Sequence, residues 1–155
     1  MSPLLAALEG AEFASVLRGA RWGYAAVNAA HILGIALLVG AIVPLNLRLF
    51  GLWRAVPRES LVRVLVPMAA SGLGLAVVAG YLLFSVKAQE YAAIGFLQAK
   101  LLLVVVGTLA ALEAHRRYGF LLMGASRARL TVHAGISTLC WLGALFCGRL
   151  IGFAG

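Results

Sequence analysis

Charged residues are scarce in this chain of 155 residues. They make up 12% of it, whereas hydrophobic residues make up 63%, and the mean hydropathy is +1.01. Such a composition excludes an ordinary water-soluble domain. The sequence also lacks the motifs of several common enzyme and ligand sites, since it has no nucleophile triad, zinc signature, phosphate-cradling loop or EF-hand. The composition therefore indicates a membrane protein.

Cysteine is rare as well. The two cysteines, Cys140 and Cys147, fall two turns apart on one expected helix, about 10 Å along its axis. This separation is too large for a disulfide between them. Met68 and Met123 are too scattered to complete the set of sulfur ligands that Cu(I) prefers. We therefore expect free, buried thiols.

In place of charge, the chain has long apolar runs. About 20 apolar residues are needed to cross roughly 30 Å of hydrocarbon, and four runs reach that length: Tyr24–Leu47, Val64–Val86, Ile94–Ala114 and Thr131–Ile151. The rest of the chain suffices only for short connections. We expect one membrane domain over residues 1–155, an all-α integral membrane four-helix bundle. The short connection 87–93 predicts that spans two and three are antiparallel neighbours.

A short interfacial helix is predicted before the first span. Over residues 3–18 apolar side chains alternate with Glu9, Glu12 and Arg18, a pattern typical of a helix lying in the membrane interface. Trp22 follows as an aromatic anchor. The N-terminus lacks the basic start and small-residue cleavage site of a signal peptide, so we expect it to be retained.

The basic residues predict the orientation. Eight of the thirteen lie between spans one and two or between spans three and four: Arg48, Arg54, Arg58, Arg63, Arg116, Arg117, Arg127 and Arg129. The positive-inside rule makes these connections cytoplasmic. We expect a multi-pass protein of the bacterial inner membrane with both termini outside. The topology explains the net charge of +8, and no basic stripe with interleaved aromatics indicates nucleic-acid binding.

Small residues predict where the spans pack. Membrane helices associate through close approach at Gly, Ala, Ser and Thr. The second and fourth spans are rich in these small residues. The second has Ser71, Gly72, Gly74 and Gly80, and the fourth has Gly135, Ser137, Thr138, Gly143 and Gly148. We expect tight helix packing there, with the flat face of a cofactor as the alternative.

Two nitrogen donors within the apolar runs are the main indication of chemistry. Lys100 is the only lysine in such a run, where an ammonium group costs about 3 kcal/mol or more. His31 is expected at a similar depth, each residue roughly 9–11 Å into its span from the outer face. A shift of 69 residues carries His31 onto Lys100 and Arg48 onto Arg117, a faint symmetry of the kind seen in parallel repeats.

This arrangement predicts a site for heme b. Imidazole from His31 would be one axial ligand and a neutral amine from Lys100 the second. Arg21 and Arg149, near the outer ends of spans one and four, would meet the propionates, and Asn28 shares the helix face of His31. The alternative is that His31 hydrogen-bonds a backbone carbonyl and Lys100 extends to the outer interface.

Two further histidines, His115 and His133, lie near the cytoplasmic ends of spans three and four. A second heme or a metal is one interpretation, and solvated interfacial histidines are the other. Glu113 and Arg117 are four residues apart and form an expected helix-surface ion pair.

The residues around the two donors resemble a known family. Ala29–Gly34 and Asn46–Phe50 look like the first helix of HemJ-type protoporphyrinogen oxidases, which are small four-helix membrane proteins, and Gly95–Leu103 is similar to their third helix. The resemblance implies a b-type heme bound through His31 and Lys100, since the family's essential histidine and lysine fall at these positions. CopD-like membrane domains share the architecture.

The fourth span differs from that family. It ends in Gly148–Gly152, where HemJ-type proteins carry an Asn-Glu-Ile-Pro element, and it resembles a separate branch of these small membrane proteins. No catalytic residue is assigned from the sequence.

Two classes of function therefore compete. In the first, the protein binds heme b and transfers electrons at the outer side of the membrane, with a quinone or a porphyrin as partner; protoporphyrinogen oxidation is a special case. In the second, it is a cofactor-free membrane anchor or accessory subunit of a larger complex. Besides lipid, we expect other copies of the chain or other membrane subunits as partners. A permease is a weaker option, because four spans with few polar groups would need to oligomerise to form a path.

Overall fold

The computed structural model describes residues 3–153. Seven helices and no strands are found in this range: α1 (Pro3–Glu9), α2 (Glu12–Gly19), α3 (Arg21–Phe50), α4 (Arg58–Val86), α5 (Ala88–Ala92), α6 (Gly95–Tyr118) and α7 (Arg127–Ile151). The four long helices, α3, α4, α6 and α7, are long and apolar enough to cross a membrane. The prediction of an all-α chain with four long apolar helices is confirmed.

Each long helix extends beyond its predicted span where the arginines lie. Arginine ends an apolar run but is a good helix former, so the backbone continues through it. α3 stops at Gly51, whose φ of 107° is in the left-handed region that favours glycine. α7 starts after Ser126, whose hydroxyl accepts a hydrogen bond from the Arg129 backbone N–H. We call this end of the bundle, with the connections 51–57 and 119–126, the arginine end.

The predicted single interfacial helix over residues 3–18 is two helices. α1 ends at Glu9, α2 begins at Glu12, and Ala11 between them is extended, with φ −62° and ψ 144°. Gly10 is a poor helix former and favours the break. α1 contacts α4 and α5, α2 contacts α3 and α4, and the two short helices also contact each other. Together, α1, α2 and α5 form the cap end of the bundle.

The long helices pack in the spatial order α4, α3, α7, α6. Within residues 3–153, no Cα atom of α4 lies within 8 Å of α6 or α7, and α3 and α6 are likewise apart. The expectation that spans two and three are packed neighbours is therefore wrong. Helix α5 occupies the connection between them, and α6 packs on α7. The bundle is open between α4 and α6.

Glycines allow α3 and α4 to cross in close contact. A Cβ atom on Gly34 would lie 2.6 Å from the Ala76 nitrogen and 2.8 Å from the Gly72 oxygen. A Cβ on Gly72 would lie 2.7 Å from the Leu38 nitrogen. This is the small-residue packing expected of Gly72 in the second span. Gly74, in contrast, has open space beside it.

One hydrophobic core cluster lies at the arginine end. It joins α3, α6, α7 and the last connection: Leu49, Ala114, Leu122, Leu130 and Ala134. Towards the cap end, no residue of α3 before Gly34 and no residue of α6 before Gly107 is buried. The cap-end half of these helices is thus loosely packed, and it contains His31 and Lys100.

Candidate functional site

His31 lies on α3 and faces α4. Its Nδ1 atom is 2.8 Å from the carbonyl oxygen of Ala76, and a Cβ atom added to Gly80 would come within 2.9 Å of its Cε1 atom. A carbonyl oxygen only accepts hydrogen bonds, so Nδ1 carries the proton and donates it. In the neutral ring, the lone pair is then on Nε2.

Lys100 lies on α6 and extends along α7. The end of its side chain lies against Gly148. A Cβ atom added to Gly148 would be 3.2 Å from Nζ, 3.5 Å from Cε and 3.6 Å from Cδ of Lys100. The side chain is half-buried. The three ion pairs within residues 3–153 join other residues, so no carboxylate neutralises this ammonium group there.

The two donors lie in the same half of the bundle. His31 is the eleventh residue of α3 and Lys100 the sixth of α6, so both are near the cap end of their helices. Within residues 3–153, no Cα atom of α3 lies within 8 Å of α6. The two side chains contact different neighbours, His31 on α4 and Lys100 on α7.

The sequence symmetry extends to the structure. The shift of 69 residues carries Arg58, the first residue of α4, onto Arg127, the first residue of α7. The same shift carries His31 onto Lys100 and Gly80 onto position 149. His31 lies beside Gly80, and Lys100 lies beside Gly148, one residue from the equivalent position. The two halves are thus similar helical hairpins, α3 with α4 and α6 with α7.

The hairpin crossings also correspond. The Leu38 nitrogen lies against Gly72 in one hairpin, and Trp141 lies against Gly107 in the other, with its Cε2 atom 3.1 Å from the Cβ position. The symmetry fails between the hairpins, since α3 contacts α7 while the equivalent pair, α6 and α4, stays apart. The open side of the bundle is the place where this second contact is missing.

The other predicted site residues are on the surface of the chain. Arg21, Asn28 and Arg149 are all exposed. The guanidinium carbon of Arg149 lies 4.7 Å from the centre of the Phe153 ring. The His31 ring is oriented by contacts with α4 and not by these side chains.

The two remaining histidines lie near the arginine end, away from His31. His115 Nδ1 is 3.0 Å from the Phe120 carbonyl oxygen. The rings of Tyr118 and His133 pack edge to face, with their centres 5.8 Å apart. Within residues 3–153, no three His, Cys, Asp or Glu side chains come together in a way that could hold a metal ion.

The expected ion pair between Glu113 and Arg117 is present. Both cysteines are free; Cys140 is buried and Cys147 is half-buried.

Asn46 is a buried polar residue that the sequence analysis did not single out. Its amide donates to the hydroxyls of Ser137 and Thr138, at 3.1 and 3.0 Å, and the Thr138 hydroxyl donates to the Ala134 carbonyl at 2.7 Å. This network joins α3 to α7. An amide within an apolar run, with adjacent hydroxyls in another run, was the available signal.

A second polar contact fastens the cap end. The Glu9 carboxylate accepts hydrogen bonds from the backbone N–H and the side-chain amide of Gln89, at 2.9 and 3.0 Å. Hydrogen bonding from Gln89 lowers the pKa of the Glu9 carboxyl. Arg18 donates to the Val86 and Glu9 carbonyl oxygens at 2.8 and 2.7 Å. These contacts tie α1 and α2 to the end of α4 and to α5.

Comparison of the chain with protein-family models, with curated proteins and with solved structures gives no match.

Proposed function

We propose that the chain is an integral membrane protein that binds a b-type heme between His31 and Lys100 and transfers electrons at the outer side of the bacterial inner membrane. The four long apolar helices support membrane insertion. The arginine-rich connections support an orientation with both termini outside.

The hydrogen bond from His31 Nδ1 to the Ala76 carbonyl oxygen carries the heme proposal. Histidines that bind a metal usually donate their other ring N–H to a carbonyl or a carboxylate, and this fixes the tautomer and the ring orientation. The same hydrogen bond belongs to the alternative in which His31 is only structural. It occupies Nδ1 alone, however, and leaves the Nε2 lone pair for an axial bond.

The surroundings of Lys100 fit a second axial ligand. The amine has no carboxylate partner among residues 3–153, and Gly148 leaves room beside it. No Cα atom of α3 lies within 8 Å of α6 in the described part of the chain, so no backbone contact between these helices would have to be broken to place a group between them. When bound, the heme supplies one-electron redox chemistry.

The resemblance to HemJ-type proteins supports the same two ligands, and protoporphyrinogen oxidation remains a special case of the proposed activity. A porphyrin or a quinone is the proposed redox partner. In the proposed site, Arg21 and Arg149, both exposed, would neutralise the carboxylates of a bound tetrapyrrole.

An absorption spectrum tests the proposal directly. Protein produced with ample heme and purified in detergent should be red, with a Soret band and an alpha band that sharpens on reduction with dithionite. His31→Ala and Lys100→Met should each diminish or shift these bands, and His115→Ala serves as the matched control. Bands that survive both changes unaltered would exclude this site.

The competing function is a cofactor-free anchor or accessory subunit. It is favoured by α6, in which only Gly107 and Ala114 are buried, so that most of its apolar surface is available to lipid or to another subunit. A colourless wild-type protein would replace the electron-transfer proposal with this one.

A further inference from the structure

Two arginines from different parts of the chain converge on Gly51, where α3 ends. A Cβ atom on this glycine would lie 2.9 Å from Nη2 of Arg127 and 3.7 Å from Nη2 of Arg54. Arg127 is the first residue of α7, whereas Arg54 lies in the connection between α3 and α4. The ends of two guanidinium groups that are distant in sequence are therefore close to a single point.

Hydrogen bonds to the backbone hold Arg54 in this position. Its Nε atom donates to the Gly51 carbonyl oxygen at 3.2 Å. Arg48 of α3 donates to the carbonyl oxygens of Val56 and Arg54, at 2.8 and 3.5 Å, and so ties the connection to the helix. Arg54 and Arg127 are both exposed. Their terminal nitrogens can therefore reach an acceptor that comes from outside the chain.

No carboxylate neutralises this pair of arginines within the described part of the chain. All five acidic residues of the protein are glutamates, and the two near the arginine end are Glu59 and Glu113. Glu59 pairs with Arg58 and Glu113 pairs with Arg117. Two cations held close together repel each other, and an anion bound between them replaces this repulsion with attraction.

The geometry of the pair fits a phosphate group. A guanidinium group presents its N–H donors in a rigid fork that matches the oxygens of a phosphate. Charge-assisted hydrogen bonds of this kind are about 2.8 Å long. Because both guanidinium ends lie within 4 Å of the same point, different oxygens of one phosphate can accept from Arg54 and from Arg127 at once.

The neighbouring side chains indicate that the phosphate belongs to a lipid. Leu52 and Trp53, in the same connection as Arg54, are exposed to 46% and 52%. Tryptophan is enriched where a membrane protein meets the headgroups, so this connection is expected at the level of the lipid phosphates. A headgroup with a net negative charge fits better than a zwitterionic one, whose own cation would approach the two arginines.

We propose that Arg54 and Arg127 together bind the phosphate of one anionic phospholipid at the arginine end of the bundle. The binding rests on the proposed insertion of the chain into a membrane, and it does not require heme. It differs from a diffuse attraction of all the basic residues to an anionic surface, because two particular guanidinium groups share one phosphate.

Native mass spectrometry tests the choice of ligand. The purified full chain is titrated in detergent with phosphatidylglycerol or with phosphatidylcholine that has the same acyl chains. One phosphatidylglycerol molecule should bind about tenfold more tightly than phosphatidylcholine, the scale of one hydrogen bond to a charged group. Excess inorganic phosphate should not displace it. Equal affinity for the two lipids would overturn the proposal, and displacement by inorganic phosphate would assign the arginines to a free anion.

Single variants test whether these particular arginines form the site. Arg54→Gln and Arg127→Gln should each weaken phosphatidylglycerol binding about tenfold. Arg129→Gln is the matched control, because Arg129 is also exposed and lies two residues further along α7, on the opposite side of the helix. It removes the same charge at nearly the same depth and should leave binding unchanged. Equal losses for Arg127→Gln and Arg129→Gln would show a diffuse attraction and overturn the shared site.

A double variant tests whether one phosphate is shared. The loss for Arg54→Gln combined with Arg127→Gln should be clearly smaller than the product of the two single losses, since either change already breaks the bridge. Losses that multiply would mean that the two arginines act independently, which contradicts the proposal. The measured quantity is bound lipid and not colour, so the lipid site and the heme site can fail separately.

Discussion

The imidazole of His31 on α3 donates a hydrogen bond from Nδ1 to the carbonyl oxygen of Ala76 on α4, at 2.8 Å. The same residue of α4 forms the crossing with Gly34, whose missing side chain leaves room for the Ala76 backbone. The contact that brings the two helices together therefore also orients the ring. Gly80, one turn along α4, leaves space for the imidazole.

Gly80→Ala is the most local test of this orientation. The added Cβ atom would lie 2.9 Å from Cε1 of His31, so the ring must shift from the position in which it donates to Ala76. We expect a shifted Soret band and several-fold lower heme content, measured on purified protein. Gly74→Ala is the matched control on the same helix, because nothing lies within 4 Å of its Cβ position. Identical spectra for the two variants would show that the imidazole position does not matter to heme.

Gly34→Ala tests the helix crossing itself. Its Cβ atom would meet backbone atoms of α4 at 2.6–2.9 Å, and backbone cannot rotate away as a side chain can. We expect a loss of about 1–3 kcal/mol in the free energy of unfolding, as for other overpacked sites, measured by steric trapping. Gly40→Ala, with open space around it, should be neutral or slightly stabilising. A neutral Gly34→Ala variant would contradict the close crossing.

Asn46 provides a test of the contact between the hairpins. Asn46→Ala removes the hydrogen bonds to Ser137 and Thr138. Such bonds between membrane helices contribute about 0.6–1.7 kcal/mol, and we expect a destabilisation of that order. In a double-mutant cycle with Ser137→Ala and Thr138→Val, the effects should be clearly less than additive. Additive losses would show that the amide stabilises the protein by some other route.

The sequence predicted the features that depend on local composition. Apolar runs located the four long helices, and the positions of His31 and Lys100 within them followed directly. Helix ends were misplaced at Arg58 and Tyr118, because hydropathy measures polarity and not whether the backbone stays helical. An apolar run therefore shows that a helix is present more accurately than it shows where the helix begins and ends.

Neighbour relations could not be predicted from local patterns. A short connection suggested that α4 packs on α6, but the helix Ala88–Ala92 separates them and α6 pairs with α7. The contact of Glu9 with Gln89, which ties α1 to α5, joins residues that are 80 apart in sequence. The role of Asn46 likewise depends on a partner 91 residues away. These features arise from tertiary contacts, which periodicity does not encode.

The cap end should loosen in acid. Hydrogen bonds from Gln89 lower the pKa of Glu9 below its ordinary value of 4.5. The contact therefore stabilises the fold fully above that value, and the stabilisation is lost as the pH falls through the lower folded-state pKa. A nitroxide at exposed Leu4 of α1 should gain mobility over that interval below pH 4.5. Glu9→Gln should abolish the step and Glu12→Gln should keep it; a step that persists in Glu9→Gln would assign it to another group.

The proposed orientation of the chain rests on the placement of its arginines and can be tested directly. Both connections at the arginine end carry clusters of basic residues, and such connections stay in the cytoplasm. With four long helices, the chain then returns to the outer side at its C-terminus. A phosphatase reporter, active only outside, should be inactive when fused at Arg58 and active when fused after Gly155, and a cytoplasmic fluorescent reporter should give the reverse. Agreement between the two fusion sites would mean that an even number of helices crosses the membrane between them, whereas α4, α6 and α7 are three. That result would exclude the four-span topology.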